Sequence, residues 1–141
     1  MTVHISSDYL GGLRCKSQHG PSAATLLTDA PVDNHGKGES FSPTDLVATA
    51  LGACVMTTMG ILAQRLNIEL VGMHANCTKD MVSDPFRRIG KITVKITIPK
   101  AVTEDISELD REKLERAAYA CPVHKSLHPD VESVIELNWL E

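Results

Sequence analysis

Between Ile92 and Ile98 the chain alternates cleanly, with Ile92, Val94, Ile96 and Ile98 apolar and Thr93, Lys95 and Thr97 between them. Period two predicts a half-buried β-strand, closed by Pro99. The other long pattern is an 18-residue run without a charge, Leu46 to Ala63, which predicts a helix. Ser42-Pro43-Thr44-Asp45 marks its start: serine can cap, proline suits the first helical position, and the acid stands three residues after the cap. This helix should run to about Arg65 or Leu66, with Asn67 ending it. Weaker patterns predict a meander of short strands ahead of it: Val3-His4-Ile5, Leu13 to Ser17 after the Gly11-Gly12 turn, and Ala23 to Thr28 after Gly20-Pro21. Pro31 to Gly38 has turn chemistry and reads as an exposed loop. A strand beginning at Ile68 and reaching Thr78, a helix from Ser107 to Ala120 with a solvated charged part, and a last strand from Val131 to Leu140 complete the series. Pro122 breaks that helix or starts a short new one, which sets Cys121 just before a helix N-terminus. There is no internal repeat, low-complexity tract or linker.

A helix apolar on nearly all sides must be covered on nearly all sides. One small domain manages this with difficulty, so burial between two subunits is expected. The run barely reaches the length needed to span a membrane, and Thr, Ala and Gly dilute it. The 141 residues are expected to form a single domain, 1–141, long enough to bury roughly two-thirds of the unfolded surface. A net charge of −4 with scattered Lys and Arg argues against nucleic-acid binding as the main role. The first residues carry neither a basic start nor an apolar core of secretory length, so a cytoplasmic location is expected. In that reducing compartment Cys15, Cys54, Cys77 and Cys121 should not form a permanent framework, and any disulfide is expected to be transient and catalytic.

Two of these thiols stand out. Cys54 lies in the uncharged run, and Cys121 opens Cys121-Pro122-Val123-His124, 67 residues later; neither belongs to a CxxC motif. A thiol reacts as its thiolate. A helix starting at Pro122 would aim amide groups at Cys121, and His124 lies nearby. Cys54 has no activator in its own segment, so a cation must come from elsewhere in the fold or from a second subunit. The plainer reading is that such thiols are small apolar fillers, and Cys15 and Cys77 are read that way.

The segments Ser42-Pro43-Thr44-Asp45-Leu46-Val47-Ala48-Thr49-Ala50-Leu51-Gly52-Ala53-Cys54 and Ala120-Cys121-Pro122-Val123-His124-Lys125-Ser126-Leu127 together resemble the OsmC/Ohr family of thiol-dependent hydroperoxide reductases. The resemblance implies an α+β fold in which two chains intertwine into a homodimer, with long central helices surrounded by antiparallel sheets. It implies that Cys54 is the peroxidatic thiol and that Cys121 resolves it as a disulfide, with an external dithiol reductant and no bound cofactor or metal. It further implies an N-terminal Arg as the cation beside the thiolate, for which Arg14 is the best match, and a carboxylate holding that Arg. Thr44 stands where the reductases carry this carboxylate. Glu39, in Gly38-Glu39-Ser40-Phe41, is the replacement favoured over Asp45. Gly36 to Pro43 and Cys121 to Lys125 look more like a less characterised OsmC-like branch, in which His19 and His124 are further candidates for moving a proton.

Two other readings compete. Cys121 with His124 and Cys15 with His19 are pairs of a kind that suits Zn²⁺, at weak spacing. Alternatively, an apolar cleft lined by Phe41, Met56, Met59 and Phe86 could hold an apolar ligand without turnover.

Overall fold

The computed structural model describes residues 1–141. The fold is α+β, and the chain divides into two compact units, residues 1–47 and 48–141. In the first unit β1 (Ile5–Gly11), β2 (Arg14–His19) and β3 (Thr25–Asp29) form an antiparallel meander in that order. The predicted meander is present, with shifted bounds. Val3 and His4 precede β1, which is specified by its register on β2 (Ile5 opposite His19, Tyr9 opposite Cys15) and not by any alternation of its own. β3 starts at Thr25 because Ala23 sits at φ 59° in a turn, its N–H donating to the His19 carbonyl at 2.8 Å. The expected loop after β3 contains a short 3₁₀ turn, Val32–Asn34.

Helix α1 (Pro43–Arg65) begins where its signals stand. The Asp45 amide donates to Ser42 Oγ at 3.1 Å and the Ser42 amide to Asp45 Oδ2 at 2.8 Å, a reciprocal cap of orphan amides. Asn67, at φ 54°, follows its end, where the Ile68 N–H donates back to the Ala63 carbonyl at 2.8 Å. By length and composition α1 could cross a membrane. It buries Leu51, Val55 and Met59 completely.

In the second unit β4 (His74–Val82), β5 (Arg88–Ile98) and β6 (Glu132–Trp139) form one sheet with β5 central, antiparallel to β4 and parallel to β6. Ile92, Val94, Ile96 and Ile98 are fully buried on one face of β5, as their alternation predicts. The start of the strand expected from Ile68 is corrected: residues 68–73 are irregular, with a turn at Val71 and Gly72, Gly72 at φ 97° and the Met73 N–H donating to the Leu70 carbonyl. The expected strand is present in its later part, since His74 to Thr78 open β4, but its bounds were not legible because its inward positions are Ala75, Cys77, Lys79 and Met81, a set that does not read as apolar alternation. The crossover from β5 to β6 carries α2 (Lys100–Thr103), α3 (Glu108–Ala118) and α4 (Pro122–Ser126). Ser107 caps α3 by accepting from the Asp110 amide at 3.2 Å, and α3 buries Leu114 and Ala118. The Tyr119 hydroxyl donates to the Ile135 carbonyl at 2.9 Å, which ties the end of α3 to β6.

Candidate active site

The second unit holds the thiol pair. Cys54 sits mid-way along α1, half-buried, and its carbonyl accepts from the Thr58 hydroxyl at 2.8 Å. Pro122 occupies the first position of α4, which makes Cys121 the cap, and the Cys121 sulfur accepts from the His124 amide at 3.4 Å. Cys121 is completely buried. Burial pushes its thiol pKa up, and the neighbouring Cys54 thiol adds to the rise against the opposing His124 amide. The fold thus sets the two thiols beside one another.

His124 places its backbone, not its ring, on the Cys121 sulfur. Its imidazole meets Tyr119 edge-on, with centroids 6.4 Å apart, and its buried Nδ1 has no partner. Cys77, on β4, packs against Gly52 of α1, and burial raises its thiol pKa. No three His, Cys, Asp or Glu side chains converge as metal ligands. Of the residues considered for an apolar cleft, Met59 is fully buried core and Met56 is half-buried, while Phe41 and Phe86 are exposed.

The first unit holds the charged cluster. Arg14, at the start of β2, pairs across the ladder with Asp29 at the end of β3. Its guanidinium donates from Nε to Asp29 Oδ1 at 2.7 Å and from NH2 to Asp29 Oδ2 at 2.9 Å. The same NH2 donates to Glu39 Oε2 at 2.9 Å. The structure therefore sets Arg14 against Glu39, and adds Asp29, which the sequence did not single out. Its only linear sign was an acid closing a strand before Ala30-Pro31, and the register opposite Arg14 becomes visible only once the strands pair. His19 lies at the far end of β2, its Nδ1 2.6 Å from the Ser22 hydroxyl. Thr44 Oγ1 lies 3.1 Å from Ser42 Oγ, and Asp45 caps α1.

Two carboxylates raise the Arg14 pKa, Asp29 foremost. The Arg14 hydrogen bond in turn lowers the Asp29 pKa below its ordinary value of 3.8, against desolvation. The folded chain thus binds this proton less tightly than the unfolded chain. The pair contributes stability above about pH 4 and loses it as pH falls through the lower folded value. We expect urea midpoints of the wild type and Asp29→Asn, followed from pH 7 down to pH 2, to converge at the acid end. A gap that stays constant would contradict this assignment.

The family model for OsmC-like protein matches residues 36–136. Among solved structures, the chain is similar to a Psychrobacter arcticus 273-4 protein provisionally described as an osmotic stress induced and detoxification response protein, at 39% identity and a TM-score of 0.87, over 98% of this chain and 96% of that one. An organic hydroperoxide resistance protein OsmC from Legionella pneumophila shares the fold at 16% identity and a TM-score of 0.75, over 98% and 97% of the two chains. The organic hydroperoxide resistance protein OhrB of Bacillus subtilis does so at 19% identity and a TM-score of 0.67, over 98% of each chain. No curated protein matches the chain. On the family model and the similarity to the Psychrobacter protein, the chain belongs to the OsmC-like protein family.

Proposed function

We propose that the protein is a thiol-dependent peroxidase of the cytoplasm that reduces organic hydroperoxides through Cys54 and Cys121, in defence against oxidative stress. The observation that carries this reading is that the fold sets the Cys121 sulfur beside that of Cys54, 67 residues away in sequence, near enough for the Cys54 thiol to act on it. The Cys54 thiolate attacks the terminal oxygen of ROOH. The O–O bond breaks, ROH leaves after taking up a proton, and Cys54 becomes a sulfenic acid. The Cys121 sulfur then attacks the Cys54 sulfur, its proton leaves with the hydroxide as water, and the two residues are joined by a disulfide. An external dithiol reduces that bond and is itself oxidised to a disulfide. Arg14, with Glu39, is the cation this reading assigns to the thiolate. The hydroperoxide resistance of the Legionella and Bacillus proteins supports the choice of substrate class.

The reading is tested by oxidising Cys121→Ser with one equivalent of cumene hydroperoxide. The expected result is a sulfenic acid at Cys54, trapped by dimedone and located by peptide mass. Absence of the adduct, with Cys54 still a free thiol, would reject it.

The active form in this reading is a homodimer. On α1, Ala50, Ala53, Thr57 and Ile61 form one exposed stripe of small and apolar residues, suited to close helix packing. In the first unit, Ile5, Tyr9 and Leu10 are also exposed, on a strand with no buried residue. Ile61→Glu places a charge in the α1 stripe. We expect it to shift the species seen by sedimentation equilibrium from two chains to one, and an unchanged mass would argue against this use of α1.

A further inference from the structure

Arg14 meets two carboxylates that differ in kind. The Asp29 side chain is completely buried, whereas that of Glu39 is 67% exposed. Asp29 takes the Nε and NH2 edge of the guanidinium with both its oxygens, a two-point contact that fixes the plane as well as the position. Glu39 offers one oxygen to an NH2 that is already bonded. A single exposed contact of this kind is weak and readily exchanged for water. Asp29 is also held from its own side. Its backbone N–H donates to the Phe41 carbonyl at 3.0 Å, and its Oδ2 accepts the Glu39 amide at 3.1 Å. The loop bearing Glu39 is therefore itself tied to Asp29. Within that loop Gly36 lies against the Ala30 carbonyl so closely that a Cβ would overlap it, and Gly38 adopts φ 61°.

We propose that Asp29 is the positioning residue for Arg14 in the peroxidase reaction, and that Glu39 only completes the cluster from the solvent side. The proposal rests on the peroxidase reading above. Asp29 touches no reacting atom in this scheme; it acts by holding the Arg14 guanidinium in one orientation and by fastening the loop that carries Glu39.

The test combines NMR of the Arg14 side chain with turnover of cumene hydroperoxide. In the wild type the Arg14 Nε–H resonance should exchange slowly, and Glu39→Gln, an exposed change that spares the fold, should leave it so. Asp29→Asn should release that proton to fast exchange and lower kcat/KM by roughly a hundredfold. In an Arg14→Met background Asp29→Asn should bring no further loss. Release of the proton by Glu39→Gln would overturn the proposal, as would an Nε–H that stays protected in Asp29→Asn. An equal turnover loss from Asp29→Asn with and without Arg14 would overturn it too, since Asp29 would then be acting on the fold alone. These results leave the peroxidase reading standing. A wild type that turns over no hydroperoxide removes both, and is recognised because the Arg14 resonance is protected regardless. Were Asp29→Asn to fail to fold, the Glu39→Gln spectrum would still decide which carboxylate holds Arg14.

Discussion

Cys54→Ser is expected to abolish hydroperoxide reduction, with kcat/KM falling by roughly a thousandfold or more, as when a nucleophile is removed. Serine keeps the size of the side chain and the helical backbone, whose Cys54 carbonyl is held by Thr58. The thermal midpoint should therefore move by no more than about two degrees, within the range of an innocuous half-buried change. What is lost is ionisation. A hydroxyl gives no anion at neutral pH, and the O–O bond then meets no nucleophile. Steady-state reduction of cumene hydroperoxide with a dithiol, beside a thermal melt, measures both quantities. Turnover that survives in a folded variant would move the chemistry to another residue.

The second large effect concerns stability. Gly→Ala inside a helix ordinarily stabilises by about 1 kcal/mol, yet Gly52→Ala is expected to destabilise. A Cβ at this position would overlap the Cys77 sulfur, with Ala75 and Val94 side chains 3.9 and 4.0 Å away. Helix and sheet would have to separate, or Cys77 to leave its rotamer, at a cost of about 1–3 kcal/mol. The sulfur is the whole obstacle, so Cys77→Ala should make Gly52→Ala neutral or favourable again. Urea unfolding of the four proteins in this cycle measures the coupling. Additive effects would show that the contact between Gly52 and Cys77 does not govern α1 packing. This close approach also gives Cys77 a role unrelated to redox chemistry: its small side chain lets α1 lie against the β4 and β5 face.

The sequence disclosed those parts of the fold in which one residue's chemistry suffices. Ser42 and Asp45 mark the start of α1 because a cap is a contact between near neighbours. The four apolar residues of β5 mark a strand because one face of the sheet is dry. Cys54 and Cys121 were legible through two motifs in order, although their nearness depends on the crossover from β5 to β6 that carries α4. What the sequence hid depends on pairing. The bounds of β4 were hidden because its inward face of Ala75, Cys77, Lys79 and Met81 acquires meaning only against β5. β1 reads as polar and exists by its register on β2. Asp29 is one acid among many until β3 lies beside β2 and sets it opposite Arg14. Glu39 could be named from its motif, but its greater exposure, and hence its lesser hold on Arg14, could not.

The central claim is that Cys54 and Cys121 form a redox couple, and the mass of the reduced protein after one equivalent of cumene hydroperoxide tests it most directly. The account predicts rapid loss of two hydrogens, with digestion placing the new disulfide between Cys54 and Cys121 while Cys15 and Cys77 stay reduced. Unmodified thiols, or slow oxidation spread over all four cysteines, would contradict it.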